Sequence, residues 1–161
     1  MTNRKPENRL KASIRAREEW ARNKTSQENG HKVIYTSTDD TKAIGKLLKE
    51  WTGVEPDDEI LWNSFFVVAI DDSKTVGVVQ LIIIDDPFWN RRYGLVENVY
   101  VKKGYRGCGI GKQLMHHLEN QAKGFGCKFI KLTSGFDKKK GRALYKSLGY
   151  TEGSSFRKNF D

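Results

Sequence analysis

Seven consecutive residues, Arg106-Gly107-Cys108-Gly109-Ile110-Gly111-Lys112, set three alternating glycines between two cations. That pattern suits an anion. Glycines let the main chain turn tightly and aim several N–H groups at one point, and a helix starting there adds roughly half a positive charge. The apolar run Leu95–Val101 precedes the turn and an amphipathic run follows it, so the segment reads as strand, turn and helix start. Two phosphate loops can be set aside. A Walker loop needs glycine where Arg106 stands and Ser or Thr where Gln113 stands. A dinucleotide fingerprint needs a third glycine three residues beyond the second, which neither Gly107-x-Gly109 nor Gly109-x-Gly111 supplies. A plain strand-to-helix turn is the remaining alternative to an anion cradle.

What is left, Arg106-x-x-Gly109-x-Gly111 after a strand carrying Glu97, resembles the acyl-coenzyme A pyrophosphate loop, Arg/Gln-x-x-Gly-x-Gly/Ala, of the GNAT superfamily of N-acetyltransferases. A downstream segment, Gly141 to Tyr150, resembles the same family's Ala-x-x-Phe-Tyr-x-x-x-Gly-Phe stretch. Two motifs in the right order at the right distance carry the resemblance, which extends over residues 31–161 and leaves 1–30 outside it.

The resemblance implies a donor site for acetyl-CoA. The strands at 95–101 and 128–133 would run parallel and splay at one end, leaving main chain at Val99, Tyr100 and Val101 to receive the pantetheine arm as an added strand. The N–H groups of Arg106, Gly107, Cys108, Gly109, Ile110 and Gly111, with Lys112, would take the pyrophosphate. No metal is required. Acyl transfer from a thioester to an amine needs a neutral nucleophile, support for the oxyanion and a proton for the departing thiolate. Tyr145 matches the family's proton donor, and packing at a helix end is its plainer alternative. Glu97 matches the family's acidic base. Carboxylates are weak bases beside an ammonium ion, so Glu97 would work through water; a structural salt bridge is the alternative. The main-chain N–H near Val99 would support the oxyanion. Strand alternation places Glu97, Val99 and Val101 on one face and Asn98 and Tyr100 on the other. Where the family often has an asparagine that touches the cofactor, this chain has Lys138, which could reach a phosphate instead.

The elements that must position these groups follow from periodicity. His31–Ser37 alternates as a strand, and Thr38-Asp39-Asp40 offers an N-cap for a helix through Trp51, with Ile44, Leu47, Leu48 and Trp51 on one face. Phe65–Ile70 and Thr75–Ile84 flank the polar turn Asp71–Lys74 as a hairpin. Helix 110–125 turns Leu114, Met115, Leu118 and Ala122 inward and stops at Gly124 and Gly126. Strand 128–133, helix 139–148 and a last strand from Tyr150 complete the order. The fold class is therefore α/β (α+β): a mixed, mostly antiparallel sheet with a central splayed parallel pair, flanked by helices. Residues 31–161 form the transferase domain. Residues 1–30 form a basic extension, read as a helix within 8–23 and a polar linker through Gly30, either solvated or docked on a partner; a homodimer is compatible with the second option.

Composition bounds the rest. The chain has 161 residues, 37% of them apolar, with 8 Phe, 6 Tyr and 4 Trp, which suits one globular domain. No apolar run is long enough for a membrane span and the N-terminus does not read as a signal peptide, so the expected compartment is the cytoplasm, where Cys108 and Cys127 stay reduced. The net charge of +9 is unevenly spread. Residues 1–30 hold 8 basic and 4 acidic groups, 31–90 hold 5 and 11, and 91–161 hold 16 and 5. A basic C-terminal part suits a polyanion, of which acetyl-CoA is favoured over nucleic acid. Glu55, Asp57, Asp58 and Glu59 fall where the family's acceptor wall is variable. They form either a solvated loop or a recognition surface for a cationic amine. Trp51, Trp62, Phe88 and Trp89 are either aromatic walls or core, and His31, His116 and His117 have surface or packing roles. The leading activity is acetyl transfer from acetyl-CoA to a primary amine of a small molecule, directly within a ternary complex. The alternatives are a protein or aminoacyl-tRNA acceptor, or a coenzyme A binding module without catalysis.

Overall fold

The computed structural model describes residues 24–28, 31–38, 41–54, 64–135 and 137–153. Six strands form one sheet in chain order: β1 (Lys24–Glu28), β2 (His31–Thr38), β3 (Phe65–Asp71), β4 (Lys74–Asp86), β5 (Arg91–Val101) and β6 (Ile130–Leu132). Every neighbouring pair is antiparallel except β5 and β6, which are parallel. The helices are α1 (Thr41–Thr52), α2 (Ile110–Gly124) and α3 (Lys139–Ser147). A parallel neighbour requires a crossover, and α2 is that crossover.

Each sheet face buries one helix. Under α2 lie Val33, Tyr35, Val67, Ala69, Val79, Leu81 and Val96, packed against Ile110, Leu114, Met115, Leu118 and Ala122. Under α1 lie Phe66, Val68 and Val78, packed against Ile44, Leu47 and Leu48. The four inward residues expected for α2 are all at most 1% exposed, as the 3.6-residue period demands. Burial of side chains this size contributes about 1.5–3 kcal/mol each. Trp51 departs from its expected inward face: it is 40% exposed and stacks on Tyr100 at 4.8 Å.

Two expectations need correction at the ends of the chain. Residues 24–28, read as polar linker, pair with β2 from Lys24 opposite Tyr35 to Glu28 opposite His31. A polar stretch can extend a sheet edge because the ladder bonds are main-chain bonds, for which side-chain hydropathy gives no signal. Tyr150–Gly153 shows no strand, and Tyr150 instead donates its hydroxyl to Glu119 on α2 at 2.9 Å. The helix expected within 8–23, the N-cap at Asp39-Asp40 and the remainder of the last strand lie outside the described residues. Among the described residues, no helix is long and apolar enough to cross a membrane.

Candidate active site

β5 has two unlike halves. From Gly94 to Val96 it pairs on both sides, with Ile130 to Leu132 on β6 and with Leu81 to Ile83 on β4. Beyond Val96 the ladder with β6 stops, while β5 continues to Val101. The expected splay is therefore present. It leaves one side of Glu97–Val101 without a neighbouring strand among the described residues, as an added extended ligand requires.

The β4 side of the same stretch is irregular. Tyr100 faces Val78 and Glu97 faces Gln80, so Val79 stands opposite two residues, Asn98 and Val99. This is a β-bulge, and Asn98 takes a left-handed φ of 52° within it. The extra residue corrects the alternation expected from sequence. Val96, Val99 and Val101 all pack on the α2 core. Glu97, opposite Gln80, falls on the α1 face with Tyr100, instead of sharing a face with Val99 and Val101.

The cradle begins where β5 ends. A one-turn 3₁₀ helix at Lys103–Tyr105 leads into it, tied down by the Lys102 N–H to the Val76 carbonyl at 2.8 Å and by a hydrogen bond between Tyr105 and Asp71. Gly107 and Gly109 both have φ of 84°, a conformation in which a Cβ is strained. Gly109 is the residue from which α2 starts. Gly111 differs: its φ is not left-handed, and a Cβ there would meet the Leu144 side chain of α3 at 3.4 Å, about ordinary contact distance. The Lys112 N–H is committed to the Gly109 carbonyl at 2.9 Å, and that of Arg106 points to Lys103 at 3.4 Å. The main-chain donors suited to an anion are thus those of Gly107 to Gly111, a narrower set than expected. Arg106 also folds its side chain back: Nε donates to the Val101 carbonyl at 2.8 Å and the guanidinium lies 5.6 Å from the Tyr100 ring centre. Cys108 sits partly buried in the turn, its thiol 3.9 Å from the Arg106 carbonyl. These groups fit a diphosphate ester, with donors from main chain and cations at the rim.

Tyr145, on α3, packs against the α2 core. Burial raises its phenol above the ordinary range, and the negative charge of Glu97 raises it further. The two residues singled out from separate motifs are thus close enough to feel one another electrostatically. A phenol held protonated can donate to a thiolate; a carboxylate can accept from an amine. Lys138, the departure from the family pattern, is exposed and paired with Asp137 at 3.1 Å, which holds that carboxyl below its ordinary range.

Other expected participants fall elsewhere. His117 is buried and stacks on Tyr35 at 5.1 Å, and His116 is 3.5 Å from Glu119, so both belong to packing and surface. Phe88 and Trp89 are 87% and 66% exposed at the tip of the β4–β5 hairpin, which removes core burial as their explanation. Trp62 and the acidic cluster Glu55, Asp57, Asp58 and Glu59 lie outside the described residues, as does the side chain of His31. Sequence reading missed Gln80 and Ser64. Gln80 is a lone amide within the apolar run of β4, a signal that could have marked it.

A profile described as the acetyltransferase (GNAT) family matches residues 36–150. Human N-acetyltransferase 8 is 31% identical over 95 residues, which are 58% of this chain and 42% of that protein. The match thus spans less than half of that relative's length. An aminoglycoside N-acetyltransferase solved with CoA superposes with a TM-score of 0.70 at 18% identity, over 84% of this chain and 99% of its own. A ribosomal-protein-alanine N-acetyltransferase from Brucella melitensis biovar Abortus 2308 gives 0.68 at 23%, over 80% and 99%. At such identities the structural likeness speaks for the fold.

Proposed function

The chain belongs to the acetyltransferase (GNAT) family, and on that premise we propose that it transfers an acetyl group from acetyl-CoA to a primary amine of a small molecule, directly within a ternary complex. The observation that carries this reading is the open stretch of β5 beyond Val96, which bears Glu97 and leads into the glycine cradle, with Tyr145 of α3 near enough for its phenol to be raised by the Glu97 charge. Acetyl-CoA supplies the activated thioester carbonyl. Its pyrophosphate is held by the N–H groups of Gly107 to Gly111, with Lys112 and Arg106 at the rim, and its pantetheine arm lies along Val99, Tyr100 and Val101.

The roles of the chain's own residues follow from charge. An amine that attacks a carbonyl carbon must first be neutral, and Glu97 accepts the ammonium proton through water. As the C–N bond forms, negative charge gathers on the carbonyl oxygen, and the main-chain N–H at Val99, beside the bulge in the open stretch of β5, binds it. As the C–S bond breaks, the sulfur leaves as thiolate and takes the Tyr145 proton; the proton that the attacking nitrogen sheds to become an amide returns the phenolate to phenol.

The acceptor side rests on the acidic balance of residues 31–90 and on Glu97, both of which favour a cationic amine. The test offers the purified chain acetyl-CoA with polyamines, aminoglycosides, lysine and N-terminal alanine peptides, and aminoacyl-tRNA, following thiol release and product mass. Acetylation of a small amine, lost in Tyr145→Phe, is the expected result. Transfer only to peptide or tRNA would replace the acceptor. Thioester hydrolysis alone, with every amine untouched, would replace catalysis by coenzyme A binding.

A further inference from the structure

The bulge in β5 decides on which face Val99 and Val101 lie relative to Glu97, so whatever holds the bulge in place governs the site. Asn98 is the residue with the left-handed backbone, and its Nδ2 donates to Oε1 of Gln80 at 2.5 Å. Gln80 in turn donates from Nε2 to Oγ of Ser64 at 2.5 Å. Gln80 is 7% exposed and Ser64 9%, and the side chains flanking Gln80 along β4, Val79 and Leu81, belong to the α2 core. An amide buried in such a sheet is costly unless both ends are bonded. Here both ends are bonded, and one bond goes to the bulged residue.

We propose that Gln80 is a positioning residue: anchored by Ser64, it clamps Asn98 in its left-handed conformation and so holds Val99 and Val101 on the α2 face, opposite to that of Glu97. Without the clamp, Asn98 returns to extended backbone and the phase of the strand beyond Glu97 shifts by one residue, which turns Val99 and Val101 off the α2 face while Glu97 stays opposite Gln80. Gln80 touches neither amine nor thioester in this scheme. Its effect passes through Asn98. The proposal rests on the acetyl-transfer reading for the role of Glu97, but the clamp itself is a statement about backbone geometry.

The experiment compares Gln80→Met, which keeps side-chain size and removes the amide, with Asn98→Gly and the double variant. Glycine adopts the left-handed conformation without steric cost and so makes the clamp dispensable. Gln80→Met is expected to lower kcat about tenfold with KM for acetyl-CoA changed less than about twofold, as misplacement of a reacting group does. Asn98→Gly is expected to stay within about threefold of the native kcat, and the double variant to regain most of what Gln80→Met loses. NMR titration of labelled Tyr145 gives a second readout: its midpoint should fall in Gln80→Met, because Val99 and Val101 leave the core against which the phenol is buried, and recover in the double variant. Ser64→Ala, a milder change, should move both readouts the same way by less. If Gln80→Met is too unstable to study, Ser64→Ala carries the test. Unchanged kcat and unchanged titration in Gln80→Met would overturn the clamp, and so would a double variant as impaired as the single. If the native chain acetylates no amine, the activity reading fails, while the titration still confirms or refutes the clamp.

Discussion

The two halves of β5 share one strand and have opposite designs. Arg91–Val96 is bonded heavily: Arg92 pairs with Asp85 through both Nε and NH2, and NH1 donates to the Phe125 carbonyl at the end of α2. Arg91 pairs with Asp86, and Tyr93 stacks on Phe129 at 5.2 Å. Glu97–Val101 has lost its β6 neighbour and carries the bulge. The first half fixes the sheet, and the second presents main chain and a carboxylate at an opening. A strand can serve both ends because ladder bonds act residue by residue, so pairing can stop without disturbing the positions before it.

That contrast is tested most strongly at the open end. Tyr145→Phe keeps the packing and removes the proton donor, so kcat should fall about 100-fold while CoA affinity, measured by calorimetry, is unchanged. Loss of affinity with unchanged turnover would make the open half a binding surface alone. Glu97→Gln should lower kcat about 30-fold at neutral pH. It should also lower the Tyr145 titration midpoint, because the Glu97 charge is one of the two causes that raise it. The sign for stability follows: the folded state binds the Tyr145 proton more tightly than the unfolded one. This contribution is therefore complete below the phenol's ordinary pKa of about 10 and is lost as pH rises through the higher folded value. Denaturation followed from pH 9 to 11 should show a shallower decline in Tyr145→Phe.

Smaller effects lie further from the opening. Gly109→Ala forces a Cβ into left-handed backbone at the start of α2, costing about 1–2 kcal/mol and raising KM for acetyl-CoA about tenfold with kcat nearly unchanged. An unaltered KM would leave the glycines as a turn and nothing more. Arg92→Ala acts on the closed half, where the ion pair is partly exposed. It should cost about 1 kcal/mol in a denaturant titration and leave kcat/KM untouched. Reduced activity in that variant would show that the halves are not separable.

How far these features could be read in advance depended on their range along the chain. The inward face of α2, the β3–β4 hairpin and the cradle glycines are local patterns and matched the structure to within a few residues. Helical spacing puts Trp51 on one face with Leu47 and Leu48 and leaves open whether it is core or an aromatic wall; Tyr100, a residue of another element, takes it as a stacking partner at the surface. β1 escaped notice because an edge strand needs no apolar face.

The sequence by itself determined the order of elements from β2 to α3, the glycine turn before α2 and the positions of Glu97 and Tyr145, the two residues proposed for acyl transfer. Their types and spacings reflect periods of two and 3.6 residues and the conformational freedom of glycine, all of which act within a few positions. Only the tertiary structure decided that Glu97 lies on the face opposite Val99 and Val101. A period-two reading is reversed by one bulged residue, and that residue is bonded to a glutamine 18 positions away on another strand.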